Sequence, residues 1–328
     1  METNLTVVHG AYFRPLVLQA LVGMLGLLMI AGCDGGVDFS AEMSWPIARS
    51  QRPAALASTF GPRIKGSSDD YDFHRGIDIP VAMGTTVLAA ASGEVVVAGD
   101  DRHFPDDSML IGHCADAVPP ASLDECEEPF FTLYSHLSEM LVGSGDAVAR
   151  GSMIALSGAP PSDFEHLHFE IRHGVRSQRA AVHPLTHLQH DDTGPAEVTI
   201  DEVIFDDPEV PIVHGLVTRP ANELDFVRID VEVYSSDDDR LMSSHSYDVN
   251  EWNLEYTPED DPNDKLDNPF FNGITVRPEP FGPGVETYSV LFRFRELASD
   301  VSPEKVRVVV RTFDVDGGID VAECGPCL

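Results

Sequence analysis

Between His166 and Arg172 polar and apolar residues alternate without a break, His-Leu-His-Phe-Glu-Ile-Arg. A period of two belongs to a strand with one face in a core, and it argues against a helix, whose repeat is 3.6 residues. Leu167, Phe169 and Ile171 then point into a core, while His166, His168 and Glu170 share the opposite face. Elsewhere, short apolar runs such as Thr86 to Ala90 and Gly93 to Ala98 are cut by Gly, Pro and Asp, and no internal run holds a sustained helical period. The expected fold is therefore mostly β, with few helices.

A chain of 328 residues has room for two domains. Residues 15–32 form an apolar run behind Arg14 and end in small residues before Cys33, the layout of a secretory signal. Ile30-Ala31-Gly32-Cys33 resembles the lipobox of bacterial lipoproteins, in which the cysteine becomes the lipidated first residue. The other reading of the segment is an uncleaved anchor, against which Asp34, Gly35 and Gly36 follow at once. Both export the rest of the chain. The expected division is 1–33 as signal, 34–55 as tether, 56–190 as one domain and 196–328 as another. In the second, strand-like runs over 198–205, 226–234, 288–295 and 306–315 suggest a β-sandwich, with an immunoglobulin-like one among the options.

Net charge matters for partners. With 55 acidic against 21 basic side chains the chain carries −34, which repels nucleic-acid phosphates and anionic lipid surfaces. Acidic stretches such as Asp237 to Asp239 read as solvated loops, because the ligand spacing of a calcium loop is missing. Setting Cys33 aside leaves four cysteines in an oxidising compartment. Cys114 and Cys126 can close one short loop. Cys324 and Cys327 either close another or remain thiols.

The residues that carry chemistry fall in separate segments. His74-Arg75-Gly76-Ile77-Asp78 places His74 and Asp78 on one face of an extended segment, and Gly76 leaves room for another group to approach. With His166 and His168 this makes four candidate ligands. Zinc suits such a set: imidazole and carboxylate are its usual donors, and a catalytic site keeps three protein ligands and one position open to water. A zinc-bound water with a pKa near 7 would be the nucleophile, and the spare imidazole could move protons or hold an oxyanion.

In order along the chain stand Phe60-Gly61-Pro62-Arg63, His74-x-Gly-x-Asp78, Thr132-Leu133-Tyr134-Ser135-His136-Leu137-Ser138 and His166-Leu167-His168-Phe169-Glu170. This series closely resembles the M23 peptidases, the lysostaphin and LytM-type zinc endopeptidases of peptidoglycan, over residues 56–190. The resemblance implies a compact antiparallel sheet with one zinc ion in a groove, His74, Asp78 and His168 as its ligands, and His136 and His166 as catalytic histidines. Glu170, on the face of His168, can orient that ligand or simply form a surface ion pair with Arg172. Two features depart from the family. Phe164-Glu165 stands where a Gly-Pro-like pair is usual, and an insert at 114–129, bounded by Cys114 and Cys126, could shape access to the groove. His103, His113, His173, His183, His187, His190, His214 and His245 match no family position and are expected to be structural or at the surface.

The function implied is hydrolysis of peptide bonds in peptidoglycan cross-links or stem peptides by an exported, lipid-anchored envelope protein. Its rival is a non-catalytic, wall-binding or hydrolase-activating lipoprotein. The second domain could bind glycan, a protein partner or the first domain.

Overall fold

The computed structural model describes residues 43–325 apart from 54, 65–70, 115–122, 161–163, 191–193, 195, 208–209, 221–225, 252–269, 272–273, 279–286 and 295–302. The signal segment, Cys33 and Cys327 lie outside the described residues. The first unit holds β1 (Gly61–Ile64), β2 (Tyr71–His74), β3 (Ile77–Ile79), β4 (Thr86–Leu88), β5 (Gly93–Ala98) and β6 (Met109–Cys114). It continues with β7 (Pro129–Ser135), β8 (Leu137–Met140), β9 (Ala147–Val148), β10 (Met153–Ser157), β11 (Leu167–His173) and β12 (Ala181–Val182). Its main sheet runs β12-β11-β7-β6-β5-β9, with β3 also paired to β11. The pairing is antiparallel throughout. As the alternation requires, Leu167, Phe169 and Ile171 are fully buried, in one core with Met109, Ile111, Phe130 and Tyr134.

The opposite face of this sheet carries the polar rows. His168 stands across from Ser135 on one side and Asp78 on the other; Glu170 faces Leu133, and Arg172 faces Phe131. Beyond these rows the face is apolar. Val97, Leu110, Phe131 and Leu133 form a small cluster of their own, against which Phe104 packs from the β5–β6 loop.

Two expectations change here. The described part of the segment expected as a tether over 34–55 is packed instead, because Met43 and Ile47 are buried in the first unit's core and Trp45 donates its indole N–H to the Gln189 carbonyl at 2.6 Å. Apolar residues spaced through 43–56 can bury their side chains, which a solvated tether would not do. Secondly, Cys114 and Cys126 are disulfide-bonded, but at the end of the sheet away from His168. Cys114 pairs with Pro129 while Ser135 pairs with His168. Six strand steps separate these registers, roughly 20 Å. The described base of the insert therefore does not border the histidine cluster.

The second unit holds β13 (Glu197–Asp207), β14 (Val210–Pro220), β15 (Phe226–Ser235), β16 (Leu241–Asp248), β17 (Phe270–Phe271), β18 (Ile274–Pro278), β19 (Thr287–Phe294), β20 (Val306–Asp314) and β21 (Ile319–Cys324). They form two antiparallel sheets, β13-β14-β19-β18-β17 and β16-β15-β20-β21. Val198, Val213 and Val217 of one sheet share a core with Ile229, Val231, Val308 and Val310 of the other. The acidic stretch at 237–239 is exposed and ion-paired, Asp237 with Lys305 and Asp239 with Arg307. The two units touch where the Asn250 side chain accepts from the His183 N–H at 3.1 Å.

Candidate metal centre

His74 ends β2, and the chain bends at Arg75-Gly76 before β3 presents Asp78. The two residues thus do not sit on one continuous strand, as expected from their parity. β2 pairs with β1, while β3 joins the main sheet beside β11. The bend still brings them together, with His74 Nε2 at 3.1 Å from Asp78 Oδ1. His168 Nδ1 lies 2.9 Å from the same oxygen and 2.9 Å from His74 Nε2. Among the described residues, His74, Asp78 and His168 are the one cluster of three or more His, Cys, Asp or Glu groups close enough to hold a metal ion.

The outer partners decide which atoms face inward. His74 Nδ1 is 2.7 Å from the Thr59 carbonyl oxygen, which only accepts, so Nδ1 carries the hydrogen and the Nε2 lone pair turns to Asp78. His168 Nε2 lies 3.0 Å from Glu170 Oε1, and Glu170 in turn accepts from Arg172 Nε at 2.7 Å. In the neutral ring that ligates a metal, the one His168 hydrogen therefore sits on Nε2 and the Nδ1 lone pair faces inward; without a metal, a proton on Nδ1 takes that place. Two lone pairs and a carboxylate oxygen converge in a buried place, an arrangement that is repulsive unless a proton or cation sits among them. Donors held at about 2.0–2.1 Å by one tetrahedral zinc ion stand roughly 3.3 Å apart, close to the separations here, so the donor set fits zinc.

The titration of these groups has the same cause. Burial alone would raise the Asp78 carboxyl, but the His74 and His168 imidazoles hold it well below the usual carboxylate range. Burial also works against a charged His168, yet its bonds to Asp78 and Glu170 raise it to about 9. Glu170 falls to about 2, its burial outweighed by Arg172 and His168. Glu170 and Arg172 are both only 2% exposed, so their pair is a buried brace and not the surface pair that was the other expectation.

Two more imidazoles flank the cluster. His166 precedes β11, bridged to Gly158, and its Nδ1 donates to the Phe164 carbonyl at 2.9 Å. Its Nε2 faces Asp78 Oδ1 at 3.5 Å. The departure at 164–165 is accommodated there. Phe164 packs on the His166 ring with centroids 4.5 Å apart, and the Glu165 carboxylate accepts from the Met83 N–H at 3.0 Å. His136 lies between β7 and β8 in the left-handed region, φ 62°, an uncommon place for a residue with a side chain. Its ring centroid is 4.7 Å from that of His166 and 6.0 Å from that of His168. Burial, followed by the neighbouring His166 and His168, lowers its pKa.

All five residues expected from sequence thus come together, with Glu170 behind His168. Thr59 and Asp107, whose Oδ2 is 3.3 Å from His136 Nδ1, were not foreseen. A backbone carbonyl leaves no signature in side-chain identity, and Asp107 lies in a loop with many other acids. Among the described residues, the remaining histidines are not part of the cluster. His113 bonds the Ser92 carbonyl and Thr132, His183 caps the turn at 184–186, and His173 meets His187 at 3.1 Å.

The first unit is thus an antiparallel β domain with a His/Asp/His cluster that could hold a metal ion and two further imidazoles beside it. Residues 72–184 match the model of peptidase family M23. It is 31% identical over 147 residues to an uncharacterized lipoprotein YgeR of Escherichia coli K12, covering 45% of this chain and 51% of that one. To the murein hydrolase activator NlpD of Salmonella dublin it is 31% identical, over 45% of this chain and 34% of that one. The alignment therefore spans about half or less of these relatives' lengths. Among solved structures, the catalytic domain of lysostaphin from Staphylococcus simulans is 27% identical, with 40% of this chain and 88% of that one covered and a TM-score of 0.32.

Proposed function

We propose that this protein is a zinc metalloendopeptidase that hydrolyses peptide bonds in peptidoglycan cross-links or stem peptides. The observation that carries the reading is the outer hydrogen bonding of His74 and His168, which in the neutral rings turns both lone pairs toward Asp78. His74, Asp78 and His168 would hold the ion. Zinc, when bound, supplies Lewis acidity toward a peptide carbonyl and toward water. The chain's own groups do the rest. Glu170, braced by Arg172, keeps His168 in its ligating tautomer. His166, with its Nδ1 hydrogen committed to Phe164, offers Nε2 at the cluster, and His136 stands beside it. Either Nε2 can take the proton from the attacking water, and the imidazolium so formed can then give that proton to the leaving amine.

The lipobox-like Ile30 to Cys33 and the lipoprotein names of several relatives support an envelope protein held to a membrane through lipid on Cys33. The strand order β13-β14-β19-β18 against β16-β15-β20-β21 matches the A-B-E-D and C′-C-F-G order of immunoglobulin-like sandwiches, and we infer that fold for the second domain. A second functional reading, activation of a separate cell-wall hydrolase, is favoured by the activator names of some relatives.

Incubation of the full-length protein with purified peptidoglycan, followed by mass spectrometry of released peptide ends, separates the two. The peptidase reading expects new ends from wild type, none with a zinc chelator, and recovery on adding zinc. His168→Ala should lose both metal and turnover. His136→Ala should keep its zinc and lose turnover by about a hundredfold or more. A zinc-loaded wild type that releases nothing alone, but speeds a separate hydrolase, would establish the activator instead.

A further inference from the structure

The loop joining β5 to β6, residues 99–108, lies against the same sheet face as the metal cluster and is fixed at several points. Gly99 N–H donates to the Ser108 carbonyl at 3.0 Å and closes its base. Ser108 Oγ meets Ser135 Oγ at 2.8 Å, both side chains buried. Phe104 sits on Val97, Leu110, Phe131 and Leu133, with the Arg172 guanidinium 5.7 Å from its ring centre. The Asp107 carbonyl accepts from Leu137 N–H at 3.0 Å. The loop therefore grips the residues on both sides of His136. His136 itself has left the strand conformation, so its ring direction is not inherited from β7 and is set by what the ring touches. On its Nδ1 side the partner is Asp107 Oδ2, at 3.3 Å.

We propose that Asp107 is the positioning residue of His136: its carboxylate accepts the Nδ1 hydrogen, which fixes the tautomer and leaves Nε2 as the nitrogen available to substrate. The inference rests on the reading of His136 as a group that acts at the metal. An ionised carboxylate only accepts, so it selects one imidazole tautomer, whereas an amide of the same shape can donate to Nδ1 and select the other. Phe104 and the Ser108–Ser135 contact hold the loop so that this bond forms before substrate arrives.

Asp107→Asn is the discriminating variant, because it keeps the side-chain shape and would leave a merely structural role intact. Nitrogen NMR of the zinc-loaded full-length protein in detergent, labelled on histidine, reads the tautomer directly. Turnover of a soluble cross-linked muropeptide reads kcat and KM. The expected result is His136 with hydrogen on Nδ1 in wild type and on Nε2 in Asp107→Asn. It is accompanied by a fall in kcat of at least about tenfold, with KM and zinc content little changed. Hydrogen on Nε2 in wild type, or an Asn variant with wild-type tautomer and kcat, would overturn the proposal. A wild type that hydrolyses nothing while its His136 tautomer still switches in Asp107→Asn would count against the peptidase reading and in favour of this one.

Discussion

At the scale of single residues, Gly76 shows how closely the cluster is built. A Cβ there would stand 2.4 Å from the Phe169 carbonyl oxygen and 2.9 Å from His168 Cε1, and the carbonyl cannot move without breaking β11. Gly76→Ala should therefore displace His168 and weaken zinc binding by about tenfold or more, measured by competition with a chromogenic chelator. Unchanged affinity would mean that the ligand strand tolerates the shift. His113 sets a separate expectation. Its burial lowers its pKa to about 4, below the ordinary 6.5, so as pH falls the unfolded chain takes up the proton first. The stability from keeping it neutral is whole above about pH 6.5 and is lost as pH falls toward 4, at up to about 1.4 kcal/mol per unit. Denaturation of wild type and His113→Gln at about pH 7 and about pH 5 should show the larger loss in wild type; parallel losses would contradict it. The five residues round the cluster were legible because each needs a specific side chain in a recognisable order. Thr59 acts through its carbonyl and Asp107 through a loop brought in from elsewhere, and neither leaves that kind of mark.

At the scale of elements, legibility followed burial. β13, β15, β19 and β20 were foreseen as apolar runs, whereas β16 and β21 were missed. Both are edge strands of the four-stranded sheet, with half their surroundings in solvent, so Leu-Met-Ser-Ser-His-Ser-Tyr-Asp keeps little apolar alternation. β14 is central, but Pro211 and Gly215 interrupt its pattern. The Cys114–Cys126 bond joins residues 12 apart and anchors the far end of β6. Removing it with Cys114→Ser and Cys126→Ser should cost roughly 2–3 kcal/mol of stability and leave kcat unchanged. Loss of turnover in a variant that stays folded would show that the insert reaches the groove after all.

For the whole molecule, the burial of Met43 alters how an anchored protein could work. Nine residues, 34–42, stand between Cys33 and Met43, and a chain of that length reaches at most about 30 Å. A lipidated Cys33 would thus confine the groove to a layer near the membrane surface. Cys33→Ser should release the protein from the membrane fraction, and retention would contradict lipid anchoring. The central claim is that His74, Asp78 and His168 hold one zinc ion between them. Metal content by mass spectrometry, on the full-length protein and on Asp78→Ala purified alike, tests it most directly. The expected result is one zinc per chain in wild type and close to none in the variant. A wild type that retains no zinc, or an Asp78→Ala chain that keeps a full equivalent, would contradict it.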